Sequence, residues 1–407
     1  MAIQLSDLLA GTMNCMQNVV NIKKGEEILI VTDTSADRDV AEAYKIAAEI
    51  AGGQVSVLTL KLAVAGGSSD EITSKALYAK WPKMAYHAML AADLCVNLTA
   101  VTDIHGIFGS GASYYGLESP LDIWNKHKTR MLSVVITNKE GLASDWATYP
   151  DPLLRYLGYK AHKQVLDAVG HKIEQALVTV TDPQGTDISF EGFKMCTKNE
   201  LDSTEEKPFY TFGTEVVGIL PFEPEPNAEG VIVSTSIHTG SIPEMKVTFK
   251  NGRGVDIEGG GAAGLAWAKD WEKGKNATAD GRPAIFGIPK GPGINWFEEL
   301  MYGVHPRAFR IGHKYRYEGS DAFAAWVGGT RRSGVLHFGL GGGMDEWYRH
   351  RDLEVFFPTL TINKETIIDN GRLKILDDPE VREEAAKYGD PDTLLTEKWI
   401  PEMPPND

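Results

Sequence analysis

The sequence predicts two differently built halves. The first is an α/β N-terminal domain, a doubly wound parallel sheet. The second is an α+β C-terminal domain with an antiparallel sheet. Three observations carry this. The chain has 407 residues, a length that suits two domains at roughly 100–200 residues each. Its first 170 or so residues alternate short apolar runs with stretches of helical periodicity. After residue 172, strand-like runs joined by Gly/Asn turns take over.

The N-terminal elements follow in order. Residues 4–20 place apolar side chains at helical spacing, and GEEILIVTD (25–33) is a short apolar run ending in polar turn residues. DRDVAEAYKIAAEI (37–50) reads as an amphipathic helix closed by Gly52-Gly53, and QVSVLTL (54–60) as a second strand. A helix at 84–92, a strand at 93–99, a helix near 119–127 and the strand MLSVVIT (131–137) complete the alternation. Such alternation builds a parallel sheet covered on both faces, with ligands at the carboxyl ends of its strands. His105, in LTAVTDIHG, falls just past one such end. The boundary is expected near 172–178, giving domains 1–172 and 173–407. Beyond it, QALVTVTD, GTDISFEGF, GVIVSTSIHTG, MKVTFKNGRGVDIEGG and LTINKETIIDNGRL read as strands, with Asn251-Gly252 as a hairpin turn. The acidic, proline-containing tail from 376 is expected to wrap the surface.

Hydrophobic residues make up 43% and charged residues 24%, ordinary values for a globular chain. With 41 basic and 56 acidic residues the net charge is -15. That field repels phosphate backbones and anionic lipid, so no nucleic-acid or membrane partner is expected. It suits carboxylates gathered around a cation. Cys15, Cys95 and Cys196 are far apart and odd in number, which excludes a disulfide framework and a CxxC knuckle. The N-terminus lacks a basic region followed by an unbroken apolar core, and no window approaches a membrane span. These features point to a cytoplasmic location.

Gly259-x-Gly261-x-x-Gly264 fits the dinucleotide fingerprint, but the acidic residue expected about 20 positions on is missing, and its strand belongs to a hairpin. It reads instead as a glycine-rich turn packed close to a helix. A denser signal lies downstream. His305, His313, His337 and His350 fall within 46 residues, where even spreading of ten histidines predicts about one. Glu298, Glu299, Asp345, Glu346 and Asp352 stand among them. In a strand, His350 and Asp352 share a face and aim an imidazole and a carboxylate at one point, as a metal requires. The glycines after His337 let the backbone pass close to a ligand. Trp296, Phe297, Trp347, Phe356 and Phe357 flank these residues, as core or as pocket wall, and Arg307, Arg331, Arg332, Arg349 and Arg351 make the region locally basic.

In these residues the chain resembles the aminopeptidase T/aminopeptidase S family of metallopeptidases and its relative 2,5-dihydroxypyridine 5,6-dioxygenase. The carrying segments run in order: NVVNIKKGEEILIVTD, QALVTVTDPQGTDISFE, GTEVVGILPFEP, EELMYGVHPRA, SGVLHFGLGGG and HRDLEVFFPTLTINKETIIDNG. The resemblance implies metal ligands at Glu215, Glu299, His337, His350 and Asp352, and a cytoplasmic homodimer. The GTEVVGILP match is offset by one residue at Pro221. The dioxygenase pattern has a histidine where Glu299 stands and none at His337, so the ligand types match the peptidases. Other details match the dioxygenase: Pro-Arg-Ala in VHPRA, Ala-Glu-Gly in PNAEG, and His105 near its substrate-facing histidine. The peptidases' Asp-Glu-Lys before the ligand histidine is absent, and Met344 replaces their tyrosine, with Tyr348 one helical turn on.

Two readings follow. In the first, two Zn, Co or Mn ions lower the pKa of a shared water and polarise an amide carbonyl. Glu298 is then a candidate general base, His105 could protonate a leaving nitrogen or orient the substrate, and Tyr348 is a third candidate catalytic residue. That substrate is a peptide N-terminus, a cyclic amide or a cyclic imide. In the second, one Fe(II) held by His337 or Glu299 with His350 and Asp352 supports ring-cleaving dioxygenation of a hydroxylated N-heterocycle. A third reading, a metal-stabilised binding protein, sits poorly with four glycines beside the ligands.

Overall fold

The computed structural model describes residues 2–34, 36–60, 83–98, 129–134, 136–170, 172–196, 209–221, 227–237, 240–274, 295–308, 330–341 and 351–397. Of these, 2–151 with 209–214 form one compact unit, and 152–196, 215–308 and 330–397 form a second. The cut expected at 172 lies inside the second unit.

The first unit holds a five-stranded parallel sheet. Its strands are β1 (Glu27–Asp33), β2 (Gln54–Leu60), β3 (Leu94–Asn97), β4 (Arg130–Val134) and β8 (Phe209–Phe212), in the order β2-β1-β3-β4-β8. The four strands expected from the apolar runs are present. The fifth, β8, comes from a four-residue aromatic run, FYTF, too short to show a period. Helix α1 (Leu5–Met13) continues into a π-helical turn at Asn14–Val19, which buries Cys15, Met16 and Val19. Helix α2 (Arg38–Ile50) starts at Asp37, whose carboxylate accepts the Asp39 N–H at 2.9 Å. It stops at Gly52, in the left-handed region at φ +102°. Helices α3 (Lys83–Ala91) and α4 (Lys139–Leu142) complete the unit. The helix expected at 119–127 and His105 lie outside the described residues.

The second unit is built on an antiparallel sheet. In chain order it comprises β5 (Leu177–Thr181), β6 (Asp187–Glu191), β7 (Phe193–Cys196), β9 (Val216–Pro221), β10 (Glu229–Ile237), β11 (Gly240–Lys250) and β12 (Arg253–Gly259). It continues with β13 (Phe297–Gly303), β14 (Val335–Leu340), β15 (Arg351–Phe356), β16 (Thr359–Ile362), β17 (Glu365–Asp369) and β18 (Arg372–Leu373). The main path runs β18-β17-β16-β5-β6-β10-β15-β14-β13-β9-β7, with β11 and β12 branching from β10. The β11–β12 turn has Asn251 at φ 49° and Gly252 at φ 71°, the two left-handed residues of a type I′ hairpin. Helix α5 (Asp151–Val169) precedes these strands, and α6 (Gly261–Gly274) lies between β12 and β13.

Strands β13, β14 and β15 sit in the middle of this sheet and are buried on both faces. Their registers align Leu300 with Phe338 and Leu353, and Tyr302 with Leu336 and Val355. That face is apolar core. Phe297 lies 5.3–5.7 Å from the rings of Phe190, Phe249 and Phe338. Arg351 is on this side as well. It pairs with Asp270 of α6, and its guanidinium lies 5.0 Å from the Trp267 ring. Phe297 and Arg351 therefore serve the core rather than a pocket wall.

The glycine fingerprint is structural. A Cβ on Gly264 would lie 2.1 Å from the Gly259 carbonyl oxygen, so the turn packs tightly onto the start of α6. The tail does more than wrap. It forms α7 (Pro379–Ala385) and α8 (Pro391–Leu394), capped by Asp378 and Asp390. Glu397 then accepts the Ser333 hydroxyl at 2.7 Å. Burial pushes the Glu397 carboxyl up and pulls the Arg332 guanidinium down, each partly offset by the other's charge. No helix among the described residues is long and apolar enough to cross a membrane.

Candidate metal centre

The site lies on the other face of the same three central strands. Glu299 of β13 aligns with Gly339 of β14, and Gly339 with Asp352 of β15. Met301 aligns with His337, and His337 with Glu354. Side chains of directly paired residues share a face, and so do residues two apart along a strand. Glu299, Met301, His337, Asp352 and Glu354 therefore project to one side, opposite Leu300, Phe338 and Leu353.

Within that face, Glu299, His337 and Asp352 each offer a ligand atom, and these atoms lie within 4.8 Å of one another. His337 Nε2 is 3.3 Å from Glu299 Oε1. All three residues are at most 5% exposed. Gly339 stands between Glu299 and Asp352 and carries no side chain, so the strand leaves room between the two carboxylates.

These residues fit a divalent cation on their own chemistry. Two carboxylates and an imidazole are ordinary ligands for Zn, Mn, Co or Fe. Buried carboxylates are costly unless a positive charge or hydrogen bonds compensate them. Glu298 and Glu354, both buried, add to the negative charge of these strands. A divalent cation held by these residues would offset it.

The other expected site residues fall elsewhere. His350 and Tyr348 lie outside the described residues, as do His313, Asp345 and Glu346. Glu298 is the extra residue where the β13–β14 register shifts between Phe297 and Glu299. It is buried directly beside Glu299. Glu215 is not among the three clustered residues. Its carbonyl accepts the Val304 N–H at 3.1 Å, continuing the β9–β13 ladder. Alternation from there sets it on the side of Val217 and Ile219, which is the core side. Its carboxylate faces α5, 4.0 Å from Arg155, and a Cβ at Gly158 would lie 3.3 Å from it.

His305 also leaves the histidine cluster. Its Nδ1 accepts the backbone N–H groups of Arg307 and Ala308, both at 3.1 Å, so this fully buried ring holds the turn after β13. Arg307 reaches the Thr396 carbonyl at 3.1 Å and anchors the tail.

Glu354 was not among the expected ligands, although a signal for it exists. His350, Asp352 and Glu354 form an i, i+2, i+4 series, and the rule that pairs the first two includes the third. Ser236 of β10 donates its hydroxyl to Glu354 Oε2. The Ser234 hydroxyl lies 2.7 Å from the Glu354 carbonyl oxygen.

No protein-family model and no curated protein matches the sequence. Solved structures do share the fold. The structure of 2,5-dihydroxypyridine dioxygenase from Pseudomonas putida is similar over 91% of this chain and 98% of its own, with TM-score 0.55 and 15% identity. That of AmpT, aminopeptidase T, from Thermus thermophilus is similar over 90% of this chain and 99% of its own, with TM-score 0.50 and 12% identity. Both coverages include both units of the chain. The two folds are those that the ordered motifs resemble.

Proposed function

We propose that the protein is a metal-dependent hydrolase that cleaves an amide bond in a small substrate, a peptide N-terminus or a cyclic amide or imide. The observation that carries this reading is the buried convergence of Glu299, His337 and Asp352 from three adjacent strands. A bound divalent ion supplies Lewis acidity and a water acidified towards neutrality. The chain's own residues do the rest. Glu299 and Asp352 bring the negative charge that balances the ion, and His337 presents Nε2 from the strand between them. His350, two residues before Asp352, is the proposed fourth ligand by strand alternation. Glu298 is the proposed proton acceptor. His105 and Tyr348 are proposed substrate contacts, supported by the sequence alone. A role for Glu215 as a fifth ligand has no support from its position beside Arg155.

The similarity to AmpT supports a peptide-like substrate, and the similarity to a dioxygenase keeps Fe(II) chemistry as the rival. The clustered trio has two carboxylates and one imidazole, a carboxylate-rich set that supports hydrolysis, while His337, Asp352 and the proposed His350 are the two histidines and one carboxylate that the rival needs. Free, buried Cys15 and Cys95 support a reducing cytoplasm, and a homodimer rests on the family resemblance.

The test is a screen of the purified full-length protein, loaded with Zn, Mn or Co, against peptide amides and cyclic imides. Hydrolysis that chelation abolishes, and that His337→Ala and Asp352→Asn lose, is the expected result. Oxygen uptake with hydroxypyridines by an Fe(II)-loaded protein, without hydrolysis, would establish the rival reading.

A further inference from the structure

We infer that Glu354 is a positioning carboxylate of the metal centre. It acts on the bound cation from one row outside the three ligands and raises the site's affinity for divalent ions. The inference rests on the metal-site reading above and adds to it a residue that neither the motifs nor the ligand types supplied.

Four observations carry it. Glu354 is aligned with His337 across the β14–β15 pair and lies on the ligand face, two residues from Asp352. It is fully buried in the middle of the sheet. Its position is fixed from the far side, since the Ser236 hydroxyl binds Oε2 and the Ser234 hydroxyl meets its carbonyl oxygen. Finally, it is not one of the residues whose ligand atoms lie within 4.8 Å of one another, so it stands in the row beside the trio rather than in it.

The physical consequence follows from charge and burial. A carboxylate closed off from water is poorly screened, so its field reaches a cation one row away. Groups that hydrogen-bond a metal's ligands typically change affinity by 10–100-fold, and a buried charge in the adjacent row is expected to reach the lower end of that range. Ser236 holds the carboxylate on the β10 side, where it adds charge without filling the space between Glu299 and Asp352. Glu215, on the opposite face beside Arg155, lacks this position.

The distinguishing experiment measures Mn(II) and Zn(II) affinity of the full-length apoprotein by titration calorimetry, together with apoprotein thermal stability. Five proteins are compared: wild type, Glu354→Gln, Glu354→Asp, Glu215→Gln and Asp352→Asn. The expected result is a loss of at least about tenfold in affinity for Glu354→Gln. Glu354→Asp should recover part of it, and Glu215→Gln should stay within about twofold of wild type. The apoprotein of Glu354→Gln should melt near wild type, because the glutamine keeps an oxygen to accept the Ser236 hydroxyl. A purely structural Glu354 would lower that melting temperature instead. Wild-type affinity in Glu354→Gln, alongside loss in Asp352→Asn, would overturn this inference alone. Equal losses in Glu354→Gln and Glu215→Gln would overturn it too. Wild-type affinity in Asp352→Asn, or no binding by the wild type, would overturn the metal-site reading itself.

Discussion

Gly339 contributes to the candidate centre by what it lacks. It lies in register between Glu299 and Asp352, so any side chain there would project into the space the two carboxylates share. Gly339→Val should therefore lower divalent-ion affinity by about tenfold or more, the scale seen when a site's supporting shell is disturbed. The drop should be smaller for Gly339→Ala, and calorimetric titration of both variants checks the order. At this scale the sequence was partly legible. Glu299, His337 and Asp352 stood out by residue type and spacing, and the structure brings them together. The face on which Glu215 lies was not legible, because alternation gives relative faces within a strand, and only the pairing of β9 with β13 says which face is core. Glu354 was legible by the same alternation as Asp352.

At the scale of elements, a buried ion pair fastens α6 to the sheet. Arg351 is 1% exposed and Asp270 8%, and they pair beneath the Trp267 ring. Removing one partner strands the other charge in the interior. Asp270→Ala should cost about 3–5 kcal/mol of stability, read from the urea midpoint. Its metal affinity should stay near that of wild type, because Arg351 points away from the ligand face. The start of α6 makes a second prediction. A Cβ at Gly264 would overlap the Gly259 carbonyl, so Gly264→Ala should destabilise the protein by about 1–3 kcal/mol in the same assay. Here the sequence was informative where chemistry is local. The Asn251-Gly252 turn and the hairpin origin of the glycine motif follow from residue types alone. β8 escaped because a four-residue run carries no period, and its pairing with β4 depends on a chain crossover.

For the whole molecule, the two sheets divide the tasks as the alternation and turn patterns implied. The parallel sheet comes from the first part of the chain, with β8 added from later, and the antiparallel sheet carries the candidate centre. Stability should also depend on alkali. Burial pushes the Cys95 thiol up to about 12 from its ordinary 9.0. The unfolded chain therefore releases this proton near pH 9, whereas the native protein keeps it until about pH 12. The resulting stability is complete below pH 9 and is lost as pH rises towards 12. Buried Cys15, Tyr44 and Tyr302 are raised likewise and act with the same sign. The urea midpoint should fall across that window, and Cys95→Ala should show a shallower fall. An identical slope in the variant would contradict this.

The most direct test of the metal centre is anomalous diffraction from crystals of the full-length protein loaded with Mn or Zn. A peak is expected on the β13–β14–β15 face within about 2.0–2.3 Å of carboxylate oxygens of Glu299 and Asp352 and of His337 Nε2. A peak bound elsewhere, or none at this face in fully loaded protein, would contradict it.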